Sequence, residues 1–113
     1  MPTPEQSQLC ARIRNTLKTP HPVREVRMFG AIAFMVDERM VVAAHKNGDL
    51  LVRVDPQQSA ALLCRDDTRQ AEMGTGRAMG PGWLVAEGPL SEEQTAFWLG
   101  VAMTYHAQSG SSA

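Results

Sequence analysis

The sequence is 113 residues long, 43% hydrophobic, 20% charged and 5% aromatic. A chain of this length buries about two thirds of the surface it exposes when unfolded, so it folds as one domain without disulfide or metal staples. Eleven basic against 12 acidic side chains leave a net charge of -1, which disfavours a general polyanion binder. No apolar run reaches membrane-spanning length and residues 1–19 are polar rather than signal-like, so the expectation is a soluble cytoplasmic protein. Cys10 and Cys64 stand far apart and outside any C-x-x-C pattern, which indicates neither a disulfide framework nor a cysteine zinc site.

In chain order, Thr3-Pro4-Glu5-Gln6 supplies a capping hydroxyl, a first-turn proline and a glutamine at the capping-box position, so a helix starts there. Leu9, Ile13 and Leu17 lay an apolar stripe along it, and Thr19-Pro20-His21-Pro22 ends it. From Val23 to Val54 the period is two: Val26, Met28, Ile32, Phe34 and Val36 share one parity and Arg27 takes the other. Gly30 breaks this stretch into two strands or bends one. Asp37-Glu38-Arg39 reads as a polar turn, Met40 to Lys46 as a strand, Asn47-Gly48-Asp49 as a tight hairpin turn, and Leu50 to Val54 as the answering strand.

Asp55-Pro56-Gln57-Gln58 repeats the helix-start logic, and Ala60 to Cys64 follow as a short buried helix. Thr68 to Met73 and Trp83 to Ala86 read as two more strands, joined by a glycine-rich loop from Gly74 to Gly82. Ser91-Glu92-Glu93-Gln94 opens the last helix, with Phe97, Trp98, Val101, Ala102 and Tyr105 as its apolar face and a polar tail from about Gln108. Runs of strands set apart from helices predict a two-layer α+β domain over residues 1–113. The expected order is α-β-β-β-α-β-β-α, an antiparallel sheet of about five strands with the helices on one face.

Chemistry is sparse in this pattern. Arg27 and Phe29 are adjacent in the manner of interface anchors, the competing account being a core Met28 flanked by an edge aromatic and a paired arginine. The Gly74 to Gly82 loop offers backbone N–H groups and Arg77 to an anion, yet it lacks the P-loop Lys-Ser/Thr and sits between two strands; turn geometry is the favoured account of its glycines. His21, His45 and His106 have no zinc spacing, no serine stands on a nucleophile elbow, and both cysteines sit among apolar residues as inert thiols. These absences point away from an enzyme and away from any cofactor or metal; the residual catalytic option pairs His45 with Asp49. The charges divide unevenly, residues 1–54 carrying +3 and residues 55–113 carrying -4, and Arg12, Arg14, Lys18, Arg24 and Arg27 face Glu25 alone. With no recognition helix or exposed aromatic ladder, direct nucleic-acid binding is not expected.

Arg27-Met28-Phe29-Gly30, Ile32-Ala33-Phe34-Met35, His45-Lys46, Leu50 to Val54 and Gly76-Arg77-Ala78-Met79 leading to Gly82-Trp83 together resemble the N-terminal domain of the TfoX/Sxy competence regulators, over about residues 5 to 106. This sequence departs from the family pattern in carrying Ala31 rather than a second glycine after Gly30, and Gly80-Pro81 rather than one residue between Met79 and Gly82. The resemblance implies a two-layer α+β domain with a five-stranded antiparallel sheet. In long members this domain precedes a C-terminal domain for which these 113 residues leave no room. The function implied is a non-enzymatic regulatory or protein-interaction module, with a link to transcriptional regulation of competence. The alternative is a small-molecule or anion-binding domain using Arg27, Arg77 and the glycine loop. Candidate partner- or ligand-binding residues are Arg27, Phe29, Gly30, Arg77, Met79 and Trp83, and the expected partners are another protein, a second copy of the chain through an exposed sheet edge, or both.

Overall fold

Helix α1, Pro4–Thr16, begins as its cap chemistry dictates: Thr3 is extended, and its hydroxyl oxygen accepts the Gln6 N–H at 3.1 Å. The structure, a computed structural model, describes residues 3–17, 23–28, 30–71, 80 and 82–111. Gln6 does not close a reciprocal capping box. Its side-chain amide instead donates to the carbonyls of Gly30, at 3.0 Å, and Ala44, at 2.8 Å, pinning the helix to two points of the sheet. Leu9 and Ile13 are buried beneath it.

Among the described residues the sheet has six strands, one more than expected: β1 Val23–Met28, β2 Ala31–Val36, β3 Arg39–Ala44, β4 Leu50–Arg53, β5 Thr68–Gln70 and β6 Trp83–Ala86. Their spatial order is β1-β2-β3-β4-β6-β5 and every neighbouring pair is antiparallel. The extra strand exists because the Gly30 break is a true reversal. Met28 pairs with Ala31, and Gly30 takes a φ of +80° that a side chain would resist. Asp37 and Glu38 turn β2 into β3 at φ of 53° and 66°, the primed geometry a two-residue hairpin favours. Between β3 and β4, the Gly48 N–H meets the His45 carbonyl at 3.0 Å and Gly48 has a φ of +88°, a three-residue loop with glycine in the left-handed position.

The β1–β2 reversal also corrects the parity expected from sequence. Two residues intervene between Met28 and Ala31, so Arg27 lies opposite Ile32 and Val26 opposite Ala33. Paired residues share a face, and Arg27 therefore stands on the side of Ile32, Phe34 and Val36. That side carries the main core, where Leu9, Ile13, Phe34, Val42, Leu50, Val52, Leu84 and Trp98 pack between sheet and helices. Each such large side chain contributes roughly 1.5–3 kcal/mol by leaving water. The opposite face buries a second, smaller cluster of Ala33, Ala43, Leu51, Ala71 and Val85, with Met35, Met40 and Trp83 packed against it.

Two helices differ from expectation. Helix α2 is only Ser59–Leu62, after a 3₁₀ turn at Pro56–Gln58, and Ala60, Ala61 and Cys64 are exposed rather than buried because only Leu62 and Leu63 reach the core. Helix α3, Glu92–Ser111, runs through the segment read as a polar tail. Its capping box forms as expected, with Ser91 N–H to Gln94 Oε1 at 2.9 Å and Gln94 N–H to Ser91 Oγ at 3.1 Å. Its buried face is Thr95, Trp98, Leu99, Ala102 and His106, rotated from the expected stripe so that Phe97 turns outward. Thr95 is admitted to the core because its hydroxyl donates to the Ser91 carbonyl at 2.8 Å.

Candidate functional site

Of the six candidate residues, Arg27, Gly30 and Trp83 are described, while Phe29, Arg77 and Met79 lie outside the described residues. Arg27 and Trp83 are not neighbours. Four strand spacings separate β1 from β6, about 19 Å, and the two side chains sit on opposite faces of the sheet. Gly30 serves the β1–β2 reversal and gives its carbonyl to Gln6. Trp83 pairs with Arg53 across to β4 and belongs to the smaller cluster, and Gln70 clamps the strand entry by donating to the Gly80 carbonyl at 2.6 Å and the Trp83 carbonyl at 2.9 Å.

Arg27 instead opens onto a groove of about 310 Å³ between α1 and the β1 edge, lined by Ser7, Cys10, Arg14, Glu25, Arg27 and Ile32. Ser7, Cys10 and Arg14 follow one another at helical spacing on the sheet-facing side of α1, and Glu25 and Arg27 alternate along β1. Arg14 donates two hydrogen bonds to Glu25, at 2.6 and 2.7 Å, and this holds the Glu25 carboxyl below its ordinary range and raises the Arg14 guanidinium. Burial pushes the Cys10 thiol up, so it stays protonated and unreactive. Arg27 has no charged partner among the described residues.

A second groove, also about 310 Å³, runs along the outer side of α3 past Asp55, Gln58, Phe97, Gly100, Thr104 and Tyr105. Phe97 is 39% exposed, and the Arg65 guanidinium lies 4.3 Å from its ring centre. Arg53 sits 5.2 Å from the Tyr105 ring. None of these residues was a sequence candidate. The outward turn of Phe97 follows from Thr95 and His106 taking core positions, which hydropathy alone does not reveal.

A third polar feature is a closed corner around Asp49. Its Oδ1 accepts the Gly88 N–H at 2.7 Å, and its Oδ2 accepts from Asn47 at 3.0 Å and from Arg69 at 3.2 Å. Gly88 is so close that a Cβ there would lie 2.3 Å from the Gly48 carbonyl oxygen. The Asp49 carboxylate is committed to these three donors, and the catalytic pairing with His45 finds no hydrogen bond between the side chains. The His45 ring is half-buried, its Nε2 has no hydrogen-bond partner among the described residues, and burial holds its pKa below the usual histidine range. His106 contacts Asp37 at 3.1 Å. Among the described residues no group of three or more His, Cys, Asp or Glu is arranged to hold a metal, and no helix is long and apolar enough to cross a membrane.

No match was found among curated proteins or among solved structures. The TfoX N-terminal domain family matches residues 15–105, a span that takes in the sheet, α2 and most of α3 but only the end of α1. The antiparallel sheet with its helical layer agrees with what the Arg27-Met28-Phe29-Gly30 and Gly82-Trp83 motifs implied, and the chain belongs to the TfoX N-terminal domain family.

Proposed function

We propose that this chain is a non-enzymatic regulatory or protein-interaction module that meets a protein partner through the outward face of α3. The observation that carries this reading is Phe97, exposed and stacked under Arg65 at the rim of the α3 groove. An aromatic ring and an arginine at the edge of a concave surface are the side chains that dominate binding energy at protein interfaces. Gly100 lies on the same surface, and a Cβ there would meet nothing within 4 Å. A glycine inside a helix costs about 1 kcal/mol relative to alanine. No packing within the described fold requires it, and its absence of a side chain keeps the groove open.

Charge describes the occupant. The half of the chain from residue 55 onward holds -4, Asp55 lines the groove, and Glu93 stands one turn before Phe97 on the same side of α3. Arg65 and Arg53 lie over the Phe97 and Tyr105 rings beside these carboxylates, so the partner segment is an apolar side chain flanked by charges of both signs. The sheet edges are poorer contact sites: β5 has three residues, and β1 carries Arg24, Glu25 and Arg27. Membership in the TfoX N-terminal family supports placing such a module in transcriptional regulation of competence. A photoreactive residue at position 100 of the full chain, expressed in cells, is expected to give a discrete adduct that Phe97→Ser abolishes and that position 8 on α1 does not form. Equal labelling from both positions, or none from either, overturns the reading, and an adduct of the chain with itself replaces the separate partner by a second copy.

A further inference from the structure

We propose that the groove between α1 and β1 is a binding site for a small aliphatic carboxylate, with Arg27 as its anchor. This lies beyond the interaction surface on α3 and is independent of it. The three nearest arginines in this part of the sheet are treated differently by the fold. Arg14 is taken by Glu25 at 2.6 Å and Arg24 by Glu38 at 2.5 Å, each a direct ion pair. Arg27 makes no ion pair among the described residues, Glu25 beside it being held by Arg14, and it lines the groove with its guanidinium uncommitted.

The chemistry of the walls selects the ligand. Arg14, Glu25 and Arg27 sum to a single positive charge, so a monoanion neutralises the groove, whereas a phosphate, with about two negative charges near neutral pH, is opposed by Glu25. The Arg27 guanidinium offers paired N–H donors matched to a carboxylate, and the Ser7 hydroxyl stands across the groove as a further donor. Cys10 presents a buried, protonated thiol and Ile32 a half-buried branched side chain, which together give the ligand's hydrocarbon end an apolar wall. A volume of about 310 Å³ is at the small end of ligand pockets, enough for a few carbons behind the carboxylate.

The test is a titration of the full-length ¹⁵N-labelled chain followed by amide shifts. Sodium butyrate is expected to give saturable shifts confined to Ser7, Cys10, Arg27 and Ile32, with butanol silent at the same concentration and inorganic phosphate weaker. Arg27→Ala should weaken butyrate at least roughly tenfold, the loss of one charge-assisted contact, with Arg27→Lys retaining part of the affinity. Glu25→Gln should reverse the preference toward phosphate. A dipeptide ending in a free carboxylate, compared with its amide, tells whether the acid is a free metabolite or a chain terminus; the carboxylate site stands under either ranking. Shifts that do not saturate, that butanol reproduces, or that survive Arg27→Ala in a variant whose spectrum remains folded overturn the site.

Discussion

Asp49 and Glu25 each hold an arginine, yet the fold encloses the carboxylate of one pair and leaves both members of the other open. The Asp49 side chain is only 10% exposed and accepts from three groups, two of them on segments remote in sequence. Glu25 is 34% exposed and Arg14 53%, and their pair joins only the first helix to the first strand. The same ionic chemistry therefore has different consequences. In the corner, removing the nearly buried acceptor strands the Gly88 N–H, while the Arg69 guanidinium, 45% exposed, still meets water; at the groove, water replaces what a mutation removes on both sides.

The sharpest way to break the corner is Asp49→Ala. The Gly88 N–H and the Arg69 guanidinium lose their acceptor while the Gly48 and Gly88 backbones remain pressed together. The expected loss is about 2–4 kcal/mol of unfolding free energy, measured by urea denaturation, with Asp49→Asn losing less because it keeps one carbonyl acceptor. If Asp49→Ala unfolded with the wild-type midpoint, the corner would be no more consequential than the open pair.

How far this corner could be read beforehand depends on sequence distance. Asn47-Gly48-Asp49 announces a turn because glycine tolerates a positive φ, and the turn is where it was expected. That Asp49 also anchors Arg69 and Gly88, 20 and 39 residues on, is a product of β6 inserting between β4 and β5, which no local pattern encodes. The helix starts were legible, since cap residues act within a turn, and the Ser91 box formed in full. Gln6 fits the box pattern equally well, yet its amide is drawn to the Gly30 and Ala44 carbonyls, which would otherwise be left without side-chain donors beneath α1. Arg27 lines the groove between α1 and β1, but its grouping with Trp83 is undone by strand order and the parity reversal at Gly30. The α3 groove was hidden because Phe97 and Trp98 are adjacent and equally apolar, and only the polar neighbours Thr95 and His106, buried with partners, decide which ring faces inward.

Acid probes the corner more gently than mutation. Burial depresses the His45 pKa, Arg69 adding to that effect and Asp49 opposing it. A depressed histidine binds fewer protons folded than unfolded once the pH falls below the unfolded value of 6.5. Its contribution is thus fully present above pH 6.5 and is lost as the solution is acidified toward the folded pKa. Urea midpoints at pH 7.5 and 5.5 should fall in the wild type and fall less in His45→Gln, which presents no titrating ring. An equal fall in both would place the acid sensitivity elsewhere.

The open pair should yield the smallest effect. A double-mutant cycle of Arg14→Gln and Glu25→Gln is expected to give a coupling of no more than about 0.5 kcal/mol, because exposed ion pairs are screened by water and lose side-chain entropy on forming. Its pH window also separates it from the corner. Arg14 lowers the Glu25 pKa from 4.5, so the pair's stabilisation is present above that value and is lost only as pH drops through the lower folded value, well below where His45 acts. Added salt should shrink the coupling further while leaving most of the Asp49→Ala loss intact, since the Gly88 N–H bond to the nearly buried Asp49 carboxylate is little screened. A coupling near that of the corner would mean that the groove is closed to water. In that event Arg27 would meet a ligand only after α1 moved.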